Sequence, residues 1–196
     1  MSPANTPKES DIWTSFVNGD KESFAAFYKL NYNKLYAYGI SLGMSDEAVR
    51  DIIQELFIKL YTRPHLIREV ATIQSFLFTS VRNAFINHEK FNRKHLSYHQ
   101  IENFELHYSV ENSQIEDEEE RRILQDKVNQ VISSLTPRQK EIIYLKFLHQ
   151  MDYQEIARIM DMSEQAARNL TYRAMEKMRK ENPDFMLWFF IFILMS

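Results

Sequence analysis

Between Ser23 and Ile40 apolar and aromatic residues return every three to four positions, at Phe24, Phe27, Leu30, Leu35 and Tyr38, the period of an α-helix with one buried face. Gly43 and Ser45 interrupt that pattern. It restarts with Ser45 as a candidate N-cap and with Asp46 and Glu47 in the first turn, where carboxylates meet the positive end of the helix dipole. The second stripe, Val49, Ile52, Ile53, Leu56, Phe57 and Leu60, runs unbroken until Arg63 and Pro64 end it. A third helix is expected from about Thr72 to Asn92, because Ile73, Phe76, Leu77, Val81, Ala84 and Phe85 again share one side. Residues 10–96 therefore read as a helical bundle.

The periodicity fails between about Ser97 and Glu120. From Glu105 to Glu120 seven carboxylates stand with no Lys or Arg among them, the composition of a solvated linker, placed at 97–120. Helical pattern resumes near Arg121 through Leu124, Val128, Val131 and Ile132. Leu135-Thr136-Pro137 then stops and restarts it, proline being suited to the first turn of a new helix. Two further helices are expected, roughly 137–148 and 153–160, then a turn at Asp161-Met162-Ser163 and a last helix from Glu164 to about Glu181 with Ser163 as N-cap. A second domain is placed at 121–182.

A short helix carrying Ile156, Ala157, Ile159 and Met160, a three-residue turn and a longer helix together have the spacing of a helix-turn-helix. Ala157 is small where the two helices must touch. Along the second of them Ala167, Leu170, Ala174, Met175 and Met178 are expected to turn inward, which leaves Arg168, Asn169, Tyr172 and Arg173 on the outer face. These side chains suit a DNA major groove: arginine forks onto guanine O6 and N7, asparagine pairs with adenine, and tyrosine meets a thymine methyl or a phosphate. The plain alternative is a helical hairpin with a solvated polar face.

Composition narrows the class. Three glycines and five prolines in 196 residues leave little turn chemistry, so the chain is expected to be all-α: two small helical domains joined by a flexible acidic linker. There is no cysteine, and the six histidines form no HExxH, so neither a metal nor a cofactor is expected. The start, MSPANTPKESD, lacks the basic-then-apolar layout of a signal peptide, so cytoplasmic function is expected. A formal net charge of -3 means that nucleic-acid binding would rest on local patches.

The stretch LTPRQKEIIYLKFLHQMDYQEIARIMDMSEQAARNLTYRAMEKMRK, Leu135 to Lys180, resembles the C-terminal promoter-reading domain of extracytoplasmic-function sigma factors of the sigma-70 family, most distinctively in its opening Leu-Thr-Pro-Arg-Gln. DIIQELFIKLY, Asp51 to Tyr61, is similar to that family's polymerase-binding helix, and SFLFTSVRNAFIN, Ser75 to Asn87, to the segment that opens and reads the downstream promoter element. The resemblance implies a sigma factor rather than an enzyme. Its partners would be core RNA polymerase, promoter DNA and a membrane-bound anti-sigma factor, with no small-molecule substrate.

By the same resemblance Asp51, Gln54, Glu55 and Phe57 would meet the polymerase, with ordinary surface carboxylates and a core phenylalanine as the alternative. Phe78 and Arg82 lie outside the apolar stripe of the third helix, with Asn83, Lys90, Arg93 and Lys94 following. An aromatic ring beside an arginine can hold an unstacked minus-10 base while nearby cations neutralise phosphate. Phe78 can equally face a neighbouring helix. The recognition helix would serve the minus-35 element, and the acidic linker would either mimic nucleic acid in a basic channel or simply be solvated. Three departures from the family pattern, Asp161 where the turn often carries glycine, Ala166-Ala167 in place of Thr-Val and Phe76 in place of tryptophan, bear on promoter sequence rather than fold.

After Pro183 and Asp184 come eleven apolar residues, Phe185 to Met195, a tail at 183–196. At about 1.5 Å per residue a helix of that length covers roughly half of a bilayer core. It can lie at a membrane interface, pack against an inhibitory partner or cover a groove. Two other readings compete: a stand-alone helix-turn-helix regulator, which leaves Asp51 to Tyr61 unexplained, and a helical interaction protein held by its tail, which predicts no salt-sensitive DNA affinity.

Overall fold

The computed structural model describes residues 9–68, 73–92, 103–106 and 118–181. Within them the helices are α1 (Glu9–Val17), α2 (Lys21–Ser41), α3 (Asp46–Thr62), α4 (His65–Arg68), α5 (Ile73–Asn92), α6 (Glu118–Ser133), α7 (Pro137–Ile143), α8 (Tyr153–Ile159) and α9 (Glu164–Glu181), and no strand is present among the described residues. The chain divides into two compact units, one built on α1–α5 and the other on α6–α9.

In the first unit the start of α3 is fixed by Ser45, whose side chain accepts from the Ala48 N–H, and its end by the Arg63 N–H donating to the Lys59 carbonyl. Beside that start, the Tyr36 hydroxyl of α2 donates to Asp46, and Arg50 Nε donates to the same carboxylate at 2.9 Å. The Tyr36 hydrogen bond and the arginine hold the Asp46 carboxyl below the usual carboxylate range, and the carboxylate in turn pushes the Tyr36 hydroxyl up. The α1 helix was not signalled by periodicity, being too short to repeat its pattern. It is anchored by Trp13 and Phe16, whose rings lie 4.7 Å from Phe27 and 4.7 Å from Phe24, respectively, within the range in which aromatic pairs add to burial.

α5 corrects one expectation. Its buried residues include Leu77, Phe78, Val81, Arg82, Phe85 and Ile86, two adjacent rows rather than one stripe. The helix meets α3 on one side, and on another its Phe78 ring lies 4.8 Å from Tyr38 of α2, so a wider arc is covered than a single-faced pattern foresees.

In the second unit α7 begins in a reciprocal capping box. The Thr136 side chain accepts from the Gln139 N–H, the Gln139 side chain accepts from the Thr136 N–H, and Pro137 stands in the first turn. The expected helix to Leu148 continues, but as a π-helical stretch, Tyr144–Leu148. Tyr144 is buried there, which pushes its hydroxyl well above the usual range, and its ring sits 5.7 Å from Phe104. Phe104 lies inside the span expected to be a solvated linker, yet it is buried. α9 packs on both α7 and α8, and Lys177 Nζ donates to the Ser134 carbonyl at 2.5 Å, tying the last helix to the turn before α7. The tail, Phe185 to Met195, and the acidic run from Glu111 to Asp117 lie outside the described residues.

Candidate nucleic-acid interface

α8 and α9 meet across a tight turn. Its first residues are closed by the Met160 N–H on the Ile156 carbonyl and the Met162 N–H on the Ala157 carbonyl, and Asp161 between them has a left-handed φ of 50°. That conformation explains why glycine suits this position. Ser163 then caps α9, its Oγ accepting from the Ala166 N–H at 3.1 Å. Ala167, Thr171, Ala174 and Met178 face inward; Thr171 is accommodated because its hydroxyl donates to the Ala167 carbonyl at 3.0 Å. Leu170 and Met175, expected inside, are only half-buried.

The opposite face carries Arg168, Asn169, Tyr172 and Arg173, all exposed, with Tyr172 at 68% the most open of the large apolar-bodied side chains among the described residues. Two of the four are tethered one turn back: Arg168 Nη2 donates to Glu164 Oε1 at 2.5 Å, and Gln165 Nε2 donates to Asn169 Oδ1 at 3.1 Å. Beside this face is an open cleft of about 530 Å³ bounded by Arg138, Asp161, Asn169 and Arg173. The Arg138 Nε–H is buried and has no hydrogen-bond partner among the described residues. Arg138 is thus a candidate that sequence reasoning quoted, in Leu-Thr-Pro-Arg-Gln, but did not weigh as a site. Only the fold brings α7 beside α9.

In the first unit Asp51, Gln54 and Glu55 are exposed together on α3. Phe57 is not. It is buried with its ring 4.8 Å from Tyr28, 5.9 Å from Phe27 and 6.0 Å from Phe24, so the core placement left open for it is the one adopted. What α3 does expose is Ile58, at 56%, and Tyr61, which with Tyr28 and Gln54 border a shallow aromatic groove. Both lie off the stripe of Val49, Ile52, Ile53, Leu56, Phe57 and Leu60, so the helical period that defines that stripe is the signal that could have found them.

The expected base-capturing pair on α5 also moves inward. Phe78 is 0% and Arg82 1% exposed, and Arg82 is engaged inside the protein. Neither presents a surface for stacking or for phosphate in this conformation. Asn83 is half-buried, while the Lys90 side chain, Arg93 and Lys94 lie outside the described residues. Among those residues there is no cluster of His, Asp and Glu suited to a metal ion, and no helix is long and apolar enough to cross a membrane.

The family model "Sigma-70 region 2" matches residues 27–94, and "Sigma-70, region 4" matches residues 125–178. Among curated proteins, the ECF RNA polymerase sigma factor SigM of Bacillus subtilis (strain 168) is 22% identical over 152 residues, covering 78% of this chain and 90% of SigM. The ECF RNA polymerase sigma factor BldN of Streptomyces coelicolor (strain ATCC BAA-471 / A3(2) / M145) is 24% identical over 176 residues, covering 85% of this chain and 62% of BldN's length. The fold resembles that of CnrH, solved in complex with the cytosolic domain of CnrY, with a TM-score of 0.55 and 16% identity over 86% of this chain and 93% of CnrH. With region 2 on the first unit, region 4 on the second and both curated relatives carrying the same description, the chain belongs to the extracytoplasmic-function group of the sigma-70 family.

Proposed function

We propose that this sigma factor divides promoter recognition between its two units. It directs transcription initiation, and the chemistry of RNA synthesis belongs to the core polymerase that it joins. In the first unit, Asp51, Gln54 and Glu55 on α3 form the polar part of the polymerase contact, with exposed Ile58 and Tyr61 as its apolar part and Phe57 supporting the helix from beneath. α5 and the cations that follow it, Lys90 and Arg93, serve the melted minus-10 strand, with Asn83 nearby. Buried Phe78 and Arg82 hold α5 in place rather than touching DNA. In the second unit, Arg168, Asn169, Tyr172 and Arg173 enter the major groove at the minus-35 element, and Arg138 adds a phosphate contact from α7.

The observation that carries this reading is the exposed α9 face, with all four groove-suited side chains open on a helix-turn-helix that belongs to a matched region 4. An inhibitory partner with a cytosolic segment is part of the proposal, supported by the complex in which CnrH was solved, and a membrane-bound anti-sigma factor fits that description. The site of action is the compartment of the polymerase, the cytoplasm.

Mixing the full chain with sigma-free core polymerase and following co-elution in gel filtration tests the first half of the proposal. Co-elution is expected for the native chain and is expected to be lost when Asp51→Arg and Gln54→Ala are combined, because a reversed charge is then buried against the partner. Failure of the native chain to co-elute would favour the stand-alone regulator instead.

A further inference from the structure

Tyr153 opens α8 and is held there by a second reciprocal capping box: the Glu155 N–H donates to Asp152 Oδ1 at 2.8 Å, and the Asp152 N–H donates to Glu155 Oε2 at 2.9 Å. Two cations share its ring. The Arg168 guanidinium carbon lies 4.5 Å from the ring centroid and Lys146 Nζ 4.7 Å, both inside the roughly 6 Å reach of a cation–π contact. Lys146 projects from the π-helical stretch Tyr144–Leu148 and is fixed by its Nζ donating to the Met151 carbonyl, just before α8, at 2.9 Å. Arg168 is bound a second time, to Glu164 at 2.5 Å.

The two contacts on Arg168 differ in kind. Glu164 is on the same helix, half-exposed, and such a surface pair fixes a long side chain only weakly. Tyr153 comes from the other helix of the hairpin, so its ring fixes where the guanidinium sits relative to the whole helix-turn-helix. A bidentate contact with guanine demands a defined guanidinium placement, and an arginine already held in place loses less freedom on binding.

We propose that Tyr153 is a positioning residue that presets Arg168 for one base pair of the promoter, and so sets how strictly that base pair is read. The proposal rests on the reading of Arg168 as a base-contacting side chain. Nothing in the pattern of α8 suggested this role, since Tyr153 occupies the first turn of a helix noted only for Ile156, Ala157, Ile159 and Met160.

Holoenzyme assembled from core polymerase and the full chain would transcribe a promoter library randomised over the minus-35 element, with products counted by sequencing. Arg168→Ala first identifies the position that Arg168 reads. Tyr153→Phe, which keeps the ring, is expected to preserve discrimination there. Tyr153→Leu, and Tyr153→Met as a second apolar replacement in case the first folds poorly, are expected to lower it about two- to fivefold, the range spanned by an exposed cation–π contact, with other positions unchanged. Unchanged discrimination at the Arg168 position in a folded Leu or Met variant would overturn the proposal, as would a loss spread evenly over all positions. If Arg168→Ala alters no position, the base-contact reading itself fails and the proposal with it. That result is visible before Tyr153 is touched.

Discussion

Asp161 sits at a φ of 50° in the turn that joins the two helices of the helix-turn-helix. Left-handed backbone disfavours side chains branched at Cβ most, glycine least, and aspartate falls between because its short polar side chain tolerates that region. Asp161→Ile is therefore expected to lower stability by about 1–2 kcal/mol. Asp161→Gly should stay within about 1 kcal/mol of the native chain, since relief of strain is offset by the greater freedom of glycine when unfolded. Urea denaturation followed by helical circular dichroism separates the two variants, and an isoleucine variant as stable as the native chain would contradict the strain argument. Placing Asp161 at the glycine position was legible from the resemblance; that the aspartate keeps the left-handed turn was not, because backbone conformation is not written in residue type alone.

In the first unit α2 and α3 approach closely at Gly39. A Cβ on Gly39 of α2 would lie 2.8 and 2.9 Å from the two methyl carbons of Val49 on α3, distances at which something must move. Alanine in mid-helix ordinarily gains about 1 kcal/mol over glycine, but overpacking against a stiff branched side chain costs about 1–3 kcal/mol. Gly39→Ala is thus expected to lower the thermal midpoint. Adding Val49→Ala should recover part of that loss, making the pair non-additive; simple addition of the two effects would show that the helices do not touch there. Where helix boundaries were legible, local chemistry set them: Ser45, Pro137 and Ser163 stand at helix starts, and Arg63 at a helix end. Four-residue α4 and nine-residue α1 offered too few turns to repeat a pattern. On α5 Phe78 takes the core alternative left open for it and Arg82 follows it inward, for a tertiary reason: α5 meets both α2 and α3, and an arginine can be buried when the protein engages it.

At the scale of the whole molecule the two halves of the candidate site were unequally legible. The exposed face of α9 followed from helical phase, because a helix-turn-helix has one packed side and one open side: Arg168, Asn169, Tyr172 and Arg173 are all exposed, while Leu170 and Met175, expected inside, are half-buried. The proposed polymerase face was legible in the exposure of its polar members, Asp51, Gln54 and Glu55, whereas Ile58 and Tyr61 were passed over although they lie off the buried stripe, because an apolar side chain does not by itself say whether the core or a partner takes it. The same ambiguity governs the apolar run from Phe185 to Met195. It is too short to cross a bilayer of about 30 Å, and unpaired in water each large side chain left exposed forgoes roughly 1.5–3 kcal/mol of burial, so it favours association with a membrane interface, an inhibitor or another apolar surface. None of these is required for joining the polymerase if α3 carries that contact. A chain ending at Asn182 is therefore expected to be more soluble, with a lower fraction of aggregate in gel filtration, and to co-elute with core polymerase as the full chain does. Loss of co-elution in the shortened chain would place part of the polymerase contact in the tail and reduce the α3 edge to a supporting role.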